Sequence, residues 1–273
     1  MATRSAIINV MAKACYKVSR GLLRDFGEVE QLQVSRKGPA DFVSTADLGA
    51  ERKLVEELKY ARPDYGFLLE EGKPVESKDP KGRRWIIDPL DGTTNFLHGI
   101  PHWAISLGLE EDGEIVAGMI YDPTRDEMFW AEKGIGAFLN DRRIRASERR
   151  NMADCLVATG VPFLGHGDHD RFTDQLGAVM AATAGVRRQG AASLDLAYVA
   201  AGRYDGFWEN GLKPWDIAAG IIIIKEAGGY ISDMTGGSRM MSNGDVVAAN
   251  ARTHHRLLQL VRPPRAAKPA KAG

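Results

Sequence analysis

Trp85-Ile86-Ile87-Asp88-Pro89-Leu90-Asp91-Gly92-Thr93-Thr94-Asn95 constrains the fold more than any other stretch, because it reads as a buried strand that must break into a turn. Trp85-Ile86-Ile87 is a short apolar, β-branched run that should deliver Asp88 at its carboxyl end. Pro89 lacks a backbone donor and is expected to end sheet pairing, while Gly92 can take backbone angles closed to other residues. Such a turn aims Asp88 and Asp91 at a common point and offers the Leu90 carbonyl as a third oxygen ligand. Hard oxygen donors select Mg²⁺ or Mn²⁺. If Thr93-Thr94-Asn95 opens a helix, its free N–H groups and positive dipole end make an anion position beside the metal. A phosphate could then bridge the two. An acidic turn that merely caps a helix would have a similar composition.

Other acids are placed to converge on this turn. Glu70-Glu71 ends the apolar run Tyr65-Gly66-Phe67-Leu68-Leu69. Asp216 sits in Lys213-Pro214-Trp215-Asp216 before a long apolar helical segment, and Asp47 lies in Asp41-Phe42-Val43-Ser44-Thr45-Ala46-Asp47, just ahead of a charged helical pattern. Each alone reads as a cap or a solvated acid in a chain with 36 acidic residues. Their joint pattern is what points to metal-assisted chemistry on a phosphate.

The chain resembles the inositol monophosphatase family of Mg²⁺-dependent phosphatases. The matching pieces are the Asp41–Asp47 string, Glu70-Glu71, the Trp85–Phe96 string, and Gly211-Leu212-Lys213-Pro214-Trp215-Asp216-Ile217-Ala218-Ala219-Gly220. The likeness runs from the first helix to about residue 260. One departure is visible. The family more often has Gly before the acidic pair and Ser after it, where this chain has Leu69 and Gly72.

The resemblance implies two or three Mg²⁺ ions, with Mn²⁺ as an alternative. Glu70, Asp88 and the Leu90 carbonyl would hold one ion, and Asp88, Asp91 and Asp216 a second, the spacing of a two-metal in-line displacement. Thr93 paired with Asp47 is implied to orient and help deprotonate the attacking water, with Glu70 assisting. Backbone donors of Gly92 and Thr93 would bind phosphate oxygens. The loop Gly190-Ala191-Ala192 and Glu209 would contact ring hydroxyls, with Asp91 and Asp216 sharing in substrate binding. On the residues alone, Glu209 could equally pair with Arg187 or Arg188. Lys213 could assist phosphate binding or simply neutralise the acids. His98, His102, His166 and His169 read as loop or supporting residues, because oxygen ligands are already supplied.

Thr93-Thr94-Asn95-Phe96 resembles the inositol monophosphatase pattern. Relatives acting on 3′-phosphoadenosine 5′-phosphate or histidinol phosphate usually place Lys after the first Thr. The expected reaction is hydrolysis of myo-inositol monophosphate, making the chain a phosphoric monoester hydrolase. Fructose-1,6-bisphosphatase or broader sugar-phosphate phosphatase activity is the alternative. A reading of another class, an interaction protein in a transcription complex, is allowed by some bacterial members, although no nucleic-acid motif is present.

The 273 residues could bury one large core or two packed halves. Basic and acidic residues are equal at 36 each, so net charge names no nucleic-acid or other partner. Cys15 and Cys155 are far apart and lack metal-ligand spacing, which reads as two buried thiols in a reducing compartment. No apolar stretch is long enough to span a bilayer, so the expectation is a cytoplasmic protein without membrane association. The resemblance adds a homodimer.

Ile7, Ile8, Met11, Cys15, Val18, Leu22 and Phe26 recur at helical spacing, and a second helix is predicted from Leu48 to Ala61 with Leu48, Leu54, Val55 and Leu58 on one side. Strand-like runs over residues 104–139 separated by Asp112-Gly113, Asp122-Pro123 and Asn140-Asp141 predict an antiparallel meander. Beyond residue 152, strands and helices alternate. The expected class is α/β, of α+β character with mixed sheets, and the resemblance implies a layered α-β-α-β-α sandwich. The predicted division is an N-terminal half over 1–152, a C-terminal half over 153–261, and a Pro/Ala/Lys-rich, disordered basic tail over 262–273.

Overall fold

A computed structural model describes residues 4–29, 34–38 and 41–262. Beyond Arg262 the basic tail lies outside the described residues. In chain order the elements begin with α1 (Ala6–Gly27), the antiparallel pair β1 (Val34–Gly38) and β2 (Asp41–Ser44), and α2 (Thr45–Ala61). A seven-stranded sheet follows in the order β3-β4-β5-β6-β7-β8-β9. Its strands are β3 (Gly66–Leu69), β4 (Arg84–Asp91), β5 (Ala104–Glu111), β6 (Glu114–Asp122), β7 (Glu127–Glu132), β8 (Gly136–Leu139) and β9 (Arg142–Arg143), with the short α3 (Thr93–Leu97) between β4 and β5.

The C-terminal region comprises β10 (Leu156–Thr159), α4 (His169–Met180), β11 (Gly185–Arg187), α5 (Ala192–Ala200), β12 (Gly206–Glu209), α6 (Pro214–Glu226), β13 (Gly229–Ser232), α7 (Met240–Asn243), β14 (Val246–Asn250) and α8 (His254–Val261). Its five strands are ordered β11-β10-β12-β14-β13, with parallel and antiparallel pairs. In the first sheet β3 joins β4 in parallel and the rest is the expected meander. Two of its hairpins turn through Asp112 and Asn140 with positive φ, as their turn chemistry predicts.

The layers follow from which faces are apolar. α1 buries Ile8, Met11, Cys15, Val18 and Leu22 along one stripe, and with α2 covers the outer face of the first sheet. All nine residues of α5 are buried, as is Ile217–Ile224 of α6. Helices apolar on every side need cover on every side, and these two lie between the sheets. α4 and α8 close the outer face of the second sheet over Val157, Trp208 and Val247. The result is the α-β-α-β-α sandwich. Ile86 and Phe129 share one core with Leu196, Ile222 and Val246, so hydrophobic packing crosses from residues before 152 to residues after it.

Gly108 and Gly118 are cross-strand partners on β5 and β6. A Cβ at Gly108 would meet Ala218 Cβ at 2.8 Å, and one at Gly118 would meet Ile222 Cγ2 at 2.6 Å and Ala219 Cα at 2.8 Å. The glycine pair thus forms the depression into which α6 settles. Ser106 Oγ also donates to the Trp215 carbonyl at 3.2 Å, which fixes the helix start and with it Asp216.

Four expectations are corrected. β4 does not stop at Pro89 but pairs with β5 as far as Asp91↔Ala104, because a bulge between Asp88 and Asp91 absorbs the missing donor. α2 begins at Thr45 rather than Leu48, since Ser44 and Asp47 form a capping box, and Asp47 therefore belongs to its first turn. Leu48 is exposed, whereas Leu54 and Leu58 are fully buried, so the apolar stripe excludes it. Asp216 lies inside the first turn of α6, which starts at Pro214, a residue whose missing N–H is harmless there.

Candidate active site

The bulge in β4 sets the site. It ends at Gly92, which takes φ 94° and caps α3. A Cβ there would stand 3.1 Å from the His102 carbonyl and 3.3 Å from Ala191 Cβ, so both the backbone angle and the space call for glycine. Asn95 then ties this turn to the second half of the chain. Its Nδ2 donates to the carbonyls of His102 at 2.8 Å and Gln189 at 2.9 Å, bringing the 190–192 loop beside Gly92.

Glu70, Asp91, Gly92, Thr93, Gly190, Ala191, Ala192, Glu209 and Asp216 line one cavity of about 220 Å³. Asp88 is buried beside them. A second cavity of about 510 Å³ shares Glu70, Glu209 and Asp216 and extends past Phe163, His166 and Trp215. The groove between α1 and α2 is larger, about 800 Å³, yet contains none of the converging acids. Size alone does not mark the chemistry.

Three of the acids each have one oxygen held by a donor. Asp88 Oδ1 accepts from the Leu90 N–H at 2.9 Å. Asp91 Oδ2 accepts from the Ser193 N–H at 2.7 Å and the Ser193 hydroxyl at 2.5 Å. Asp216 Oδ2 accepts from the Lys213 N–H at 2.7 Å. Behind Glu70, Glu51 accepts from the Glu71 N–H at 2.9 Å. Gly72 permits this approach, because a Cβ there would meet Glu51 Oε1 at 2.9 Å. Gly72 thus makes room for the Glu51 carboxylate.

The acids strongly perturb one another. Burial and the charges of Glu70, Asp91 and Asp216 push Asp88 well above the usual carboxylate range. Burial raises Asp91 to about 6, against the opposing pull of the Ser193 and Ala192 donors. Asp216 is raised by burial and by Asp91. Glu209 is pushed up to about 8 by burial and Asp91, with Arg188 and the Gly160 N–H opposing. Protonation relieves such a cluster at a cost in acceptor capacity; a divalent cation relieves it while the carboxylates stay ionised. Among the described residues, no group of three or more His, Cys, Asp or Glu side chains is arranged to hold a metal ion as the side chains stand. The donor set, all oxygen and mutually repelling, nevertheless suits a hard cation such as Mg²⁺.

Thr93 and Asp47 meet across the site. The Thr93 hydroxyl has Asp47 Oδ1 and the Leu90 carbonyl as acceptors, both at 3.0 Å. Asp47 is fully buried, and its Oδ2 is held by the Ser44 N–H at 2.8 Å and hydroxyl at 2.5 Å. The helix cap and the hydroxyl partner are therefore one and the same carboxylate. No ion pair joins Glu209 to Arg187 or Arg188 among the described residues. His102 is buried, with its pKa lowered to about 4 by burial and by Arg125, whereas His98, His166 and His169 are exposed.

Ser193, Asn95 as a loop tether, Glu51 and Asp195 were not singled out by the sequence reading. The partners of Ser193 and Asn95 lie far away in the chain, 102 residues for Ser193 and Asp91 and 94 for Asn95 and Gln189. Their only local signal is position, Ser193 and Asp195 falling in the first turn of the helix that follows the 190–192 loop.

A model of the inositol monophosphatase family matches residues 3–264. An inositol-1-monophosphatase of Mesorhizobium japonicum is 56% identical over 265 residues, covering 97% of this chain and 99% of that protein. A Nus factor SuhB of Pseudomonas aeruginosa is 40% identical over 260 residues, covering 94% of this chain and 96% of that protein. Among solved structures, the extragenic suppressor protein suhB from Bartonella henselae matches with a TM-score of 0.92 and 52% identity, over 94% of this chain and 99% of that one.

Proposed function

The chain belongs to the inositol monophosphatase family, and from that premise we propose that it hydrolyses myo-inositol monophosphate to inositol and phosphate in a Mg²⁺-dependent reaction. The observation that carries the reading is the Asp47-held Thr93 hydroxyl lining the same cavity as Glu70, Asp91 and Asp216.

Glu70, Asp88, Asp91, Asp216 and the Leu90 carbonyl would hold two or three Mg²⁺ ions, with Mn²⁺ as a substitute. When bound, the metal supplies positive charge that offsets the phosphate and acidifies water. Thr93 orients the attacking water and accepts its proton while passing its own to Asp47, with Glu70 assisting on the metal side. The water oxygen forms the new bond to phosphorus as the bond to the ester oxygen breaks, and that oxygen leaves with a proton from solvent. The N–H groups of Gly92 and Thr93, at the start of α3, bind phosphate oxygens. Gly190, Ala191 and Ala192 shape the wall beside the alcohol, and Glu209 accepts from its hydroxyls, with Asp91 and Asp216 completing the wall.

Phosphate release from inositol 1-phosphate and fructose 1,6-bisphosphate, with and without Mg²⁺, tests this reading. Faster turnover of inositol 1-phosphate is expected. The reverse order would make the chain a sugar bisphosphatase. The 40% identity to a protein named as a Nus factor favours a second, compatible reading, a binding role in a transcription complex. Asp88→Asn separates the two, since it should abolish phosphatase activity and leave such binding intact. The buried free thiols of Cys15 and Cys155 support a place in the cytoplasm, and no helix among the described residues is long and apolar enough to cross a membrane. A homodimer is the assembly we expect, and light scattering at twice the chain mass would establish it.

A further inference from the structure

Asp195 is a buried acid to which the reaction above gives no part. It lies in the first turn of α5, where its N–H donates to the Ala191 carbonyl at 3.0 Å. Helical side chains lean toward the N-terminus, here toward the 190–192 loop. The residue is 1% exposed and lines the cavity that holds Asp91, Thr93 and Glu209. Its Oδ1 is buried and has no hydrogen-bond partner among the described residues. Local donors are not scarce, because the same helical turn supplies the N–H and hydroxyl of Ser193 to Asp91. Burial, followed by the charges of Glu209 and Asp91, raises the Asp195 pKa, and Arg188 opposes them.

A buried carboxyl without a donor is costly, and a donor brought by a bound molecule offsets that cost. Asp195 and Glu209 line one cavity and feel each other's charge. A second anionic group placed against them would add repulsion. Neutral hydroxyl groups supply donors without negative charge.

We infer that Asp195 is a specificity residue which, with Glu209, accepts hydrogen bonds from hydroxyl groups of a polyol phosphate monoester. The inference rests on the phosphatase reading above and adds which group reads the alcohol. It is distinct from phosphate capture and water activation.

The test compares wild type, Asp195→Leu and Asp195→Asn on inositol 1-phosphate, glycerol 2-phosphate, fructose 1,6-bisphosphate and the hydroxyl-free ester 4-nitrophenyl phosphate. In Asp195→Leu, the ratio of kcat/KM for the best hydroxylated ester over 4-nitrophenyl phosphate should fall at least about tenfold, the size expected when a buried hydrogen-bond acceptor is lost. The melting temperature should not drop, because leucine removes a buried acid whose Oδ1 has no hydrogen-bond partner among the described residues. Asp195→Asn retains one acceptor and should lose at least about threefold in the same ratio, which keeps the test open if the leucine variant fails to fold. An unchanged ratio overturns the inference, as does an equal loss on every ester with a lowered melting temperature, the mark of a purely structural acid. Wild-type turnover of inositol 1-phosphate judges the proposed function separately. If another hydroxylated ester is preferred, the ratio taken with that ester still decides the role of Asp195. Wild type inert toward all four would overturn both.

Discussion

Asp47→Asn tests the proton path from the geometry of three hydrogen bonds. Asp47 accepts from the Ser44 N–H and hydroxyl on Oδ2 and from the Thr93 hydroxyl on Oδ1. Asparagine has one acceptor oxygen and one NH₂ group. Both Ser44 donors require the oxygen to stay on their side, so the NH₂ group turns toward Thr93. Thr93 must then accept from the substituted amide and send its own proton to the Leu90 carbonyl, its other partner at 3.0 Å. The lone pair that would take a proton from water becomes occupied. Losing a positioned base costs about 100- to 10,000-fold in kcat, or roughly 3–5 kcal/mol of barrier. Replacing one hydrogen bond to a buried charge should cost only about 1–2 kcal/mol of stability, a fall of roughly 2–8 °C in Tm for a chain of this size. Steady-state kinetics with inositol 1-phosphate at saturating Mg²⁺, beside a thermal melt, reads both quantities. KM should change little, because the relay acts after substrate binds. Thr93→Ser, which keeps the hydroxyl, should retain most activity. A folded Asp47→Asn protein that keeps more than a tenth of kcat would refute the relay.

Two further perturbations probe the support of the site and the fold. Gly118→Ala drives a Cβ to within 2.6 Å of Ile222 Cγ2 and 2.8 Å of Ala219 Cα; it should cost about 1–3 kcal/mol and, by displacing α6 and Asp216, raise the Mg²⁺ concentration needed for half-maximal activity, so an unchanged melt and Mg²⁺ titration would contradict the packing argument. Asp233 is fully buried; burial alone would raise its pKa, but the hydroxyl of Thr235 and the N–H groups of Gly237, Thr235 and Arg239 hold it down to about 2, from an ordinary 3.8. A depressed pKa contributes stability that is present above about pH 4 and lost as pH falls through about 2, here about 2–3 kcal/mol. Asp233→Asn should therefore be less stable by about that amount at pH 7, with the gap to wild type closing toward pH 2 in denaturant titrations. A gap of equal size at both pH values would mean that ionisation of Asp233 contributes nothing.

The Asp88–Asn95 stretch was legible in part because two of its signals are local: an apolar β-branched run leading into it and a glycine where φ must be positive. The meander was legible for the same reason, since its turns carry their own chemistry at Asp112-Gly113 and Asn140-Asp141. What escaped depends on partners distant in sequence. Pro89 reads as the end of a strand until β5 is seen to tolerate a bulge opposite it. Leu48 has the right spacing for a buried stripe, but burial depends on what lies across from it. Ser193 looks like an ordinary helix-start serine until the fold sets Asp91 against it. The two readings of Glu209, ion pair or substrate contact, could not be separated from spacing; the described residues include no such pair, and Glu209 lines the cavity.

The central claim is that Glu70, Asp88, Asp91 and Asp216 hold the catalytic metal beside Thr93. A crystal soaked with Mn²⁺ and phosphate, with anomalous differences collected for manganese, tests it most directly. The account predicts at least two anomalous peaks ligated by these four carboxylates and the Leu90 carbonyl, with phosphate bridging them to the N–H groups of Gly92 and Thr93. Full-occupancy manganese bound elsewhere, with these carboxylates left to one another, would contradict it.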